Sequence, residues 1–247
     1  CGTSVDTRYF ALSRCRRPAI LGSNSEEVAD IASKLGLQPG MTFADVGANT
    51  GYWTKLLLPY VLPGGRAYAT DVVSNINALT RGMPPEVTVR NLLTDNRGLP
   101  PDGRIDGIMM RMSFHYERYP AFAAAAYYKA LRPGGLLFIA EHPGCDDPWG
   151  DKLTPDDIAK RVPVAANTFP GNPLSKAPHE LRFRPLRLVF EAAGFVVRDK
   201  GAWVYWGPCN YFVVFEKPTQ AEALAAMRAM ARDERDRRPQ DSEQESS

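Results

Sequence analysis

The chain has 247 residues, of which 44% are hydrophobic and 23% charged. That is enough apolar mass to bury one continuous core without help from disulfides or metals, so a single enzyme-sized domain accounts for it. A formal net charge of +2 is far from the dense basic footprint of a nucleic-acid binder, and no apolar run is long enough to cross a membrane as a helix. Residues 1–20 read as an N-terminal extension. A lead-in helix follows: Ser23 and Glu26 have capping-box spacing, Val28, Ile31, Ala32 and Leu35 fall on one face, and Gly36 closes it. This helix should pack on a sheet beside the first strand.

From Met41 to Trp53 an apolar strand runs into a turn bearing Gly47 and Gly51 that opens a helix. Glycines free that turn of Cβ atoms, so its N–H groups can face a ligand, while Asp45 offers a carboxylate at the strand's end. Ala48 and Asn49 complete the turn, and Asn tolerates the left-handed backbone required there. The spacing Asp-x-Gly-x-x-x-Gly is not the dinucleotide fingerprint, and the turn lacks the Lys-Ser/Thr of a phosphate loop. A second strand, Arg66 to Thr70, ends on Asp71, about 20 residues beyond the turn, where a carboxylate accepts ribose hydroxyls. A third strand, Val87 to Asn91, leads to the turn Thr94 to Pro100 with Asp95 at its start. Strand four spans Asp106 to Met110, a helix Tyr119 to Leu131, and strand five Leu136 to Ala140 after Arg132-Pro133-Gly134-Gly135.

This ordered set resembles the class I S-adenosylmethionine-dependent methyltransferases. The glycine turn looks like their motif I, the Asp95 turn like the acidic turn that contacts the adenine amino group, and "Leu-Arg-Pro-Gly-Gly" like a phrase recurrent before their fifth strand. The resemblance implies an α/β fold, a Rossmann-like doubly wound seven-stranded sheet with the last strand antiparallel. S-adenosylmethionine would be the cofactor, held by Asp45, Gly47, Ala48, Asn49, Gly51, Asp71, Asp95 and Arg111. Trp53 is expected to pack on the sheet rather than stack on the cofactor.

Beyond strand five, Cys145 to Pro178 dissolves into Pro, Gly, Asp and Asn with one short helix near Pro155 to Arg161; a loop that long is usually functional. A helix over Pro185 to Ala193 stops at Gly194. Strands Phe195 to Arg198 and Tyr211 to Phe215 would form a closing hairpin, ending the domain of residues 21–217. Residues 218–247 then read as a charged helix, Ala221 to about Arg237, and a disordered polar tail.

The chain has only three histidines. His115 follows strand four, His142 follows strand five and His179 ends the long loop, so all three emerge at the C-terminal edge of the sheet. Methyl transfer is an in-line displacement in which the enzyme aligns the nucleophile and removes a proton from a hydroxyl or protonated amine. Histidine suits that task near neutral pH. His115 or His142 is the expected general base, Glu141 orienting its neighbour, Tyr116 offering a polar contact, and His179 binding substrate from a lid-forming loop. A three-histidine metal site with Asp146 or Asp147 is conceivable, but no tight ligand spacing supports it. The Asp/Asn-Pro-Pro-aromatic motif that holds a flipped base is missing after strand four, where the chain reads Arg111-Met112-Ser113-Phe114, which favours a small-molecule acceptor. The cluster Arg182, Arg184 and Arg187 is as readily a solvated face as a binding patch. A relic that binds cofactor without catalysis and a nucleic-acid methyltransferase are the alternatives.

Arg111 to Tyr116, Glu141-His142 and Pro178-His179 also resemble, in order and spacing, a bacterial group of predicted methyltransferases that often carry signal peptides; Met112 and Tyr116 stand where an amide and a second histidine are common. With that resemblance, the opening Cys1-Gly2-Thr3-Ser4 points to an envelope lipoprotein anchored through Cys1, a cytoplasmic location being the alternative. Cys15, Cys145 and Cys209 show no zinc or redox spacing and fit free thiols, or one disulfide plus one thiol in an oxidising compartment.

Overall fold

The computed structural model describes residues 24–143, 148–152, 181–207 and 209–236. Seven strands form one sheet: β1 (Thr42–Val46), β2 (Arg66–Asp71), β3 (Val87–Asn91), β4 (Ile105–Arg111), β5 (Leu131–Glu141), β6 (Val196–Ala202) and β7 (Tyr211–Glu216). Their order is β3-β2-β1-β4-β5-β7-β6. β1 to β5 pair in parallel, and β7 runs antiparallel to both β5 and β6. The expected doubly wound seven-stranded sheet with its antiparallel last strand is therefore present. The order reverses between β1 and β4, and the crevice at that switch point, above the C-terminal ends of the strands, is where open sheets of this kind bind ligands.

Helices α1 (Asn24–Lys34), α2 (Tyr52–Leu57), α3 (Val73–Thr80), α4 (Pro120–Ala130) and α5 (Phe183–Ala192) accompany the sheet, and α6 (Gln220–Asp236) follows it. The strands alternate strictly between two cores. Ala44, Val46, Ile108, Met110, Leu137, Ile139, Val213 and Phe215 join α4 and α5 on one side. Phe43, Ala67, Ala69, Met109, Phe138, Ala140 and Val214 join α1 and α2 on the other. This period of two fixes which face each strand-terminal polar residue reaches.

The apolar stripe of α1 is buried as its spacing predicts, and the chain turns at Gly36 through Leu37 N–H to Ala32 carbonyl and Gly36 N–H to Ser33 carbonyl hydrogen bonds. The capping residue Ser23 lies outside the described residues. The placement beside β1 is too narrow: α1 reaches from α2, where Asn24 donates to the Tyr52 hydroxyl, to β6, where Lys34 pairs with Asp199. β5 is also longer than expected. It absorbs Arg132 to Gly135 through a register shift that carries β4 pairing from Leu131 to Leu136. β6 likewise runs on to Ala202, four residues past its expected end.

The strongest tether of α1 is Glu27, a buried carboxylate on which Arg111 closes from Nε at 2.8 Å and Nη2 at 3.2 Å, and to which the Trp203 indole N–H donates at 3.0 Å. Glu27→Ala should cost about 3 kcal/mol in urea unfolding, because it leaves a guanidinium held between rings without its anion. Lys34→Ala, which removes a solvent-exposed pair at the other end of the same helix, should cost less than about 1 kcal/mol.

Candidate active site

The glycine turn has the backbone its residue types require. Gly47, Asn49 and Gly51 all take positive φ, at 80°, 48° and 72°. A Cβ at Gly47 would run into the Ser113 side chain, whose hydroxyl donates to the Val46 carbonyl at 2.7 Å. The turn therefore nests against the chain leaving β4. Its N–H groups are used differently from the sequence expectation. Gly47 and Ala48 both donate to the Thr70 carbonyl of β2, at 2.8 and 3.0 Å, and Asn49 donates to Asp71 Oδ2 at 2.5 Å. The first three N–H groups of the turn thus tie it to β2, which stiffens the turn.

Asp71 also accepts from Val72 N–H at 2.7 Å and Asn75 Nδ2 at 2.9 Å, both on Oδ1. A carboxylate has about four acceptor positions, so three are filled and one remains on Oδ2. Asp45 is turned to the α2 side, where Thr54 Oγ1 donates to it at 2.6 Å. Burial pushes its carboxyl up to about 6; the Thr54 hydrogen bond opposes the shift and the charge of Asp71 adds to it. Asp95 is exposed on its turn. That turn is braced by Arg97, at φ 54°, whose Nη2 meets buried Glu117 at 2.7 Å. Arg111, expected among the cofactor residues, spends Nε and Nη2 on Glu27 and is sandwiched between the Trp53 and Trp206 rings at 4.1 and 4.2 Å. Trp53 packs, as expected, though on Arg111.

On the opposite face, Glu141 has no exposed surface. Its Oε1 accepts from the backbone N–H groups of Phe114 and His115 at 2.8 and 3.2 Å, and its Oε2 meets His115 Nδ1 at 2.7 Å. This corrects the sequence expectation. Glu141 orients the histidine across the strand pair and not its chain neighbour, because successive residues of an extended chain point to opposite sides. His142 Nδ1 meets Asn210 Oδ1 at 2.8 Å instead. Burial first, and then the Glu141 charge, pushes the Tyr211 phenol well above its ordinary range. The Tyr116 ring lies tilted at 48° against the His115 ring, with centroids 4.1 Å apart.

His179, Asp146, Asp147, Cys1, Cys15, Cys145 and the short helix near Pro155 lie outside the described residues. Among the described residues no three His, Cys, Asp or Glu side chains are grouped to hold a metal ion. The three arginines do not act together as one patch: Arg182 is buried and Arg187 pairs with Glu191 at 2.8 Å. Thr54, Asn75, Glu27, Arg97, Glu117 and Asn210 were not singled out by the sequence. Asn75 follows Asp71 at helical spacing and could have been, whereas the partners of Glu27 and Asn210 are distant in the chain.

Since the folded value of Asp45 lies above its ordinary one, wild-type stability should fall as pH rises from about 4 to about 6. Asp45→Asn keeps an acceptor for Thr54 but has no proton to lose. Its stability relative to wild type should grow by about 3 kcal/mol between pH 4 and 7.5 in denaturant titrations, and a difference constant with pH would contradict the assignment.

The methyltransferase-domain family matches residues 20–200. No match was found among curated protein sequences. Among solved structures, an S-adenosylmethionine-dependent methyltransferase from Aquifex aeolicus is 22% identical, covering 78% of this chain and 89% of that one at a TM-score of 0.57. A possible exported protein from Bordetella parapertussis is 19% identical, covering 79% and 67% at 0.55. A geranyl diphosphate methyltransferase in complex with S-adenosylmethionine is 12% identical, covering 78% and 85% at 0.55. At these identities the structures speak for the fold, which they share with this chain, and the family match adds the lineage: the chain belongs to the methyltransferase-domain family.

Proposed function

We propose that this methyltransferase uses S-adenosylmethionine to methylate a hydroxyl or amine of a small molecule, with His115 as general base. The observation that carries the reading is Glu141: a wholly buried carboxylate that fixes the ring by Nδ1 and the backbone of Phe114 and His115 at once.

The residues fit the cofactor. The turn after β1 keeps the positive-φ backbone of Gly47 and Gly51, Asp71 keeps one acceptor position for a ribose hydroxyl, and exposed Asp95 stands on a braced turn after β3. When bound, S-adenosylmethionine supplies an electrophilic methyl group on a sulfonium sulfur. With Nδ1 committed to Glu141, His115 exchanges its proton at Nε2: it takes the acceptor's proton as the oxygen or nitrogen turns nucleophilic, and Glu141 stabilises the imidazolium formed. His142 belongs to the same rim, and His179 is assigned to substrate binding.

A small acceptor is supported by the low net charge, by the burial of Arg182 and by the pairing of Arg187 with Glu191. An extracytoplasmic location is supported by Cys209, which is disulfide-bonded, and by the likeness to a possible exported protein.

In calorimetric titration Asp71→Ala should weaken S-adenosylmethionine binding by about 1–3 kcal/mol, through the lost ribose hydrogen bond and a slackened turn. His115→Gln should leave that affinity intact while slowing transfer of labelled methyl into a metabolite extract about 100-fold. Unchanged affinity in the first variant contradicts the cofactor site; unchanged transfer in the second removes His115 as the base.

A further inference from the structure

We infer that Asn210 is a positioning residue that fixes the proton of His142 on Nδ1, so that Nε2 accepts a hydrogen bond from a hydroxyl or amine of the methyl acceptor; the last step rests on the function proposed above. Asn210 is 2% exposed, and every atom of its amide is assigned by a partner. Its Nδ2 donates to the Gly207 carbonyl at 3.1 Å, which accepts only, so the oxygen is the atom that meets His142 Nδ1 at 2.8 Å. An amide oxygen has no hydrogen to give. Nδ1 must therefore be the donor, and in the unprotonated ring the lone pair stands on Nε2.

Three contacts hold Asn210 itself. Its carbonyl accepts from Trp203 N–H at 2.9 Å, and Trp203 is in turn buried and bonded to Glu27 on α1. On one side Cys209 is disulfide-bonded; on the other Tyr211 pairs in register with Glu141. Trp203, Cys209 and Tyr211 thus fix the backbone that carries the amide.

Both histidines have Nδ1 committed, but they are backed differently. Behind His115 lies a carboxylate, suited to a ring that takes up charge; behind His142 lies an uncharged amide, suited to a ring that accepts a hydrogen bond. The acceptor class follows: a small molecule carrying a hydroxyl or amine hydrogen in addition to the one removed from the methylated atom.

Nitrogen-15 NMR of the ligand-free protein separates the imidazole tautomers, and three single His→Gln variants assign the three rings. His142 is expected as the Nδ1–H tautomer in wild type, a preference lost in Asn210→Leu, whereas Asn210→Asp, which keeps an oxygen there but adds a charge, should keep Nδ1–H and draw the ring toward the imidazolium. Methyl transfer into a metabolite extract should fall about tenfold in Asn210→Leu, with S-adenosylmethionine affinity unchanged. An Nε2–H tautomer in the wild-type protein overturns the inference even if the variants fail to fold, and so does wild-type transfer by Asn210→Leu. A wild-type protein with the expected tautomer that binds cofactor but transfers no methyl overturns the proposed function and leaves the positioning by Asn210 standing.

Discussion

A carboxylate with no exposed surface lies at the meeting point of β4, β5 and β7, and the proposed acceptor side of the site is arranged around it. An ion cannot be taken out of water unless its lone pairs find donors. Glu141 finds three, two from the backbone that follows β4 and one from His115. The chain leaving β4 is thereby obliged to bring Phe114 and His115 to the end of β5. Phe114 then enters the core against Phe190 of α5, with ring centroids 5.2 Å apart. Burial of the acid, direction of the loop and aim of the imidazole are one event.

The cofactor side repeats the device with other acids. Asp71 ties the turn after β1 to the start of α3, Asp45 ties β1 to α2 through Thr54, and Glu117 holds the Asp95 turn through Arg97. Each acid first stiffens its own loop and only then offers what acceptor capacity is left. That order suits catalysis by alignment, where fixed geometry replaces the entropy a bimolecular reaction would lose. Asp45 bears the cost most plainly, since desolvation leaves its carboxyl half-inclined to neutrality near pH 6.

The sheet's alternation divides these duties. Asp45, Asp71 and Arg111 belong to the face covered by α1 and α2, and Glu141 and Tyr211 to the face covered by α4 and α5. α1 joins the two duties: Glu27 clamps Arg111 on one side and Trp203 on the other, and Trp203 passes its hold to Asn210 and so to His142. A helix remote in sequence from every histidine therefore reaches the orientation of one of them.

Local pattern alone determined the strand-turn-helix at Gly47, the carboxylates at the ends of β1 and β2, the stripe of α1 and the winding order that brings His115 and His142 to the ends of β4 and β5. All of these depend on backbone conformations and periodicities set within a few residues, which is why they are legible without a fold. Tertiary structure decided the pairings. Glu141 and His142 are adjacent in the chain, yet a strand sends neighbours to opposite sides, so the acid took His115 from 26 residues away and His142 took Asn210 from 68 away. The N–H groups of Gly47, Ala48 and Asn49, open to a ligand when the segment is considered by itself, were claimed by Thr70 and Asp71 once β2 lay alongside. Which polar group satisfies which is settled by what the packed core leaves within hydrogen-bond reach, and no spacing along the chain encodes that distance.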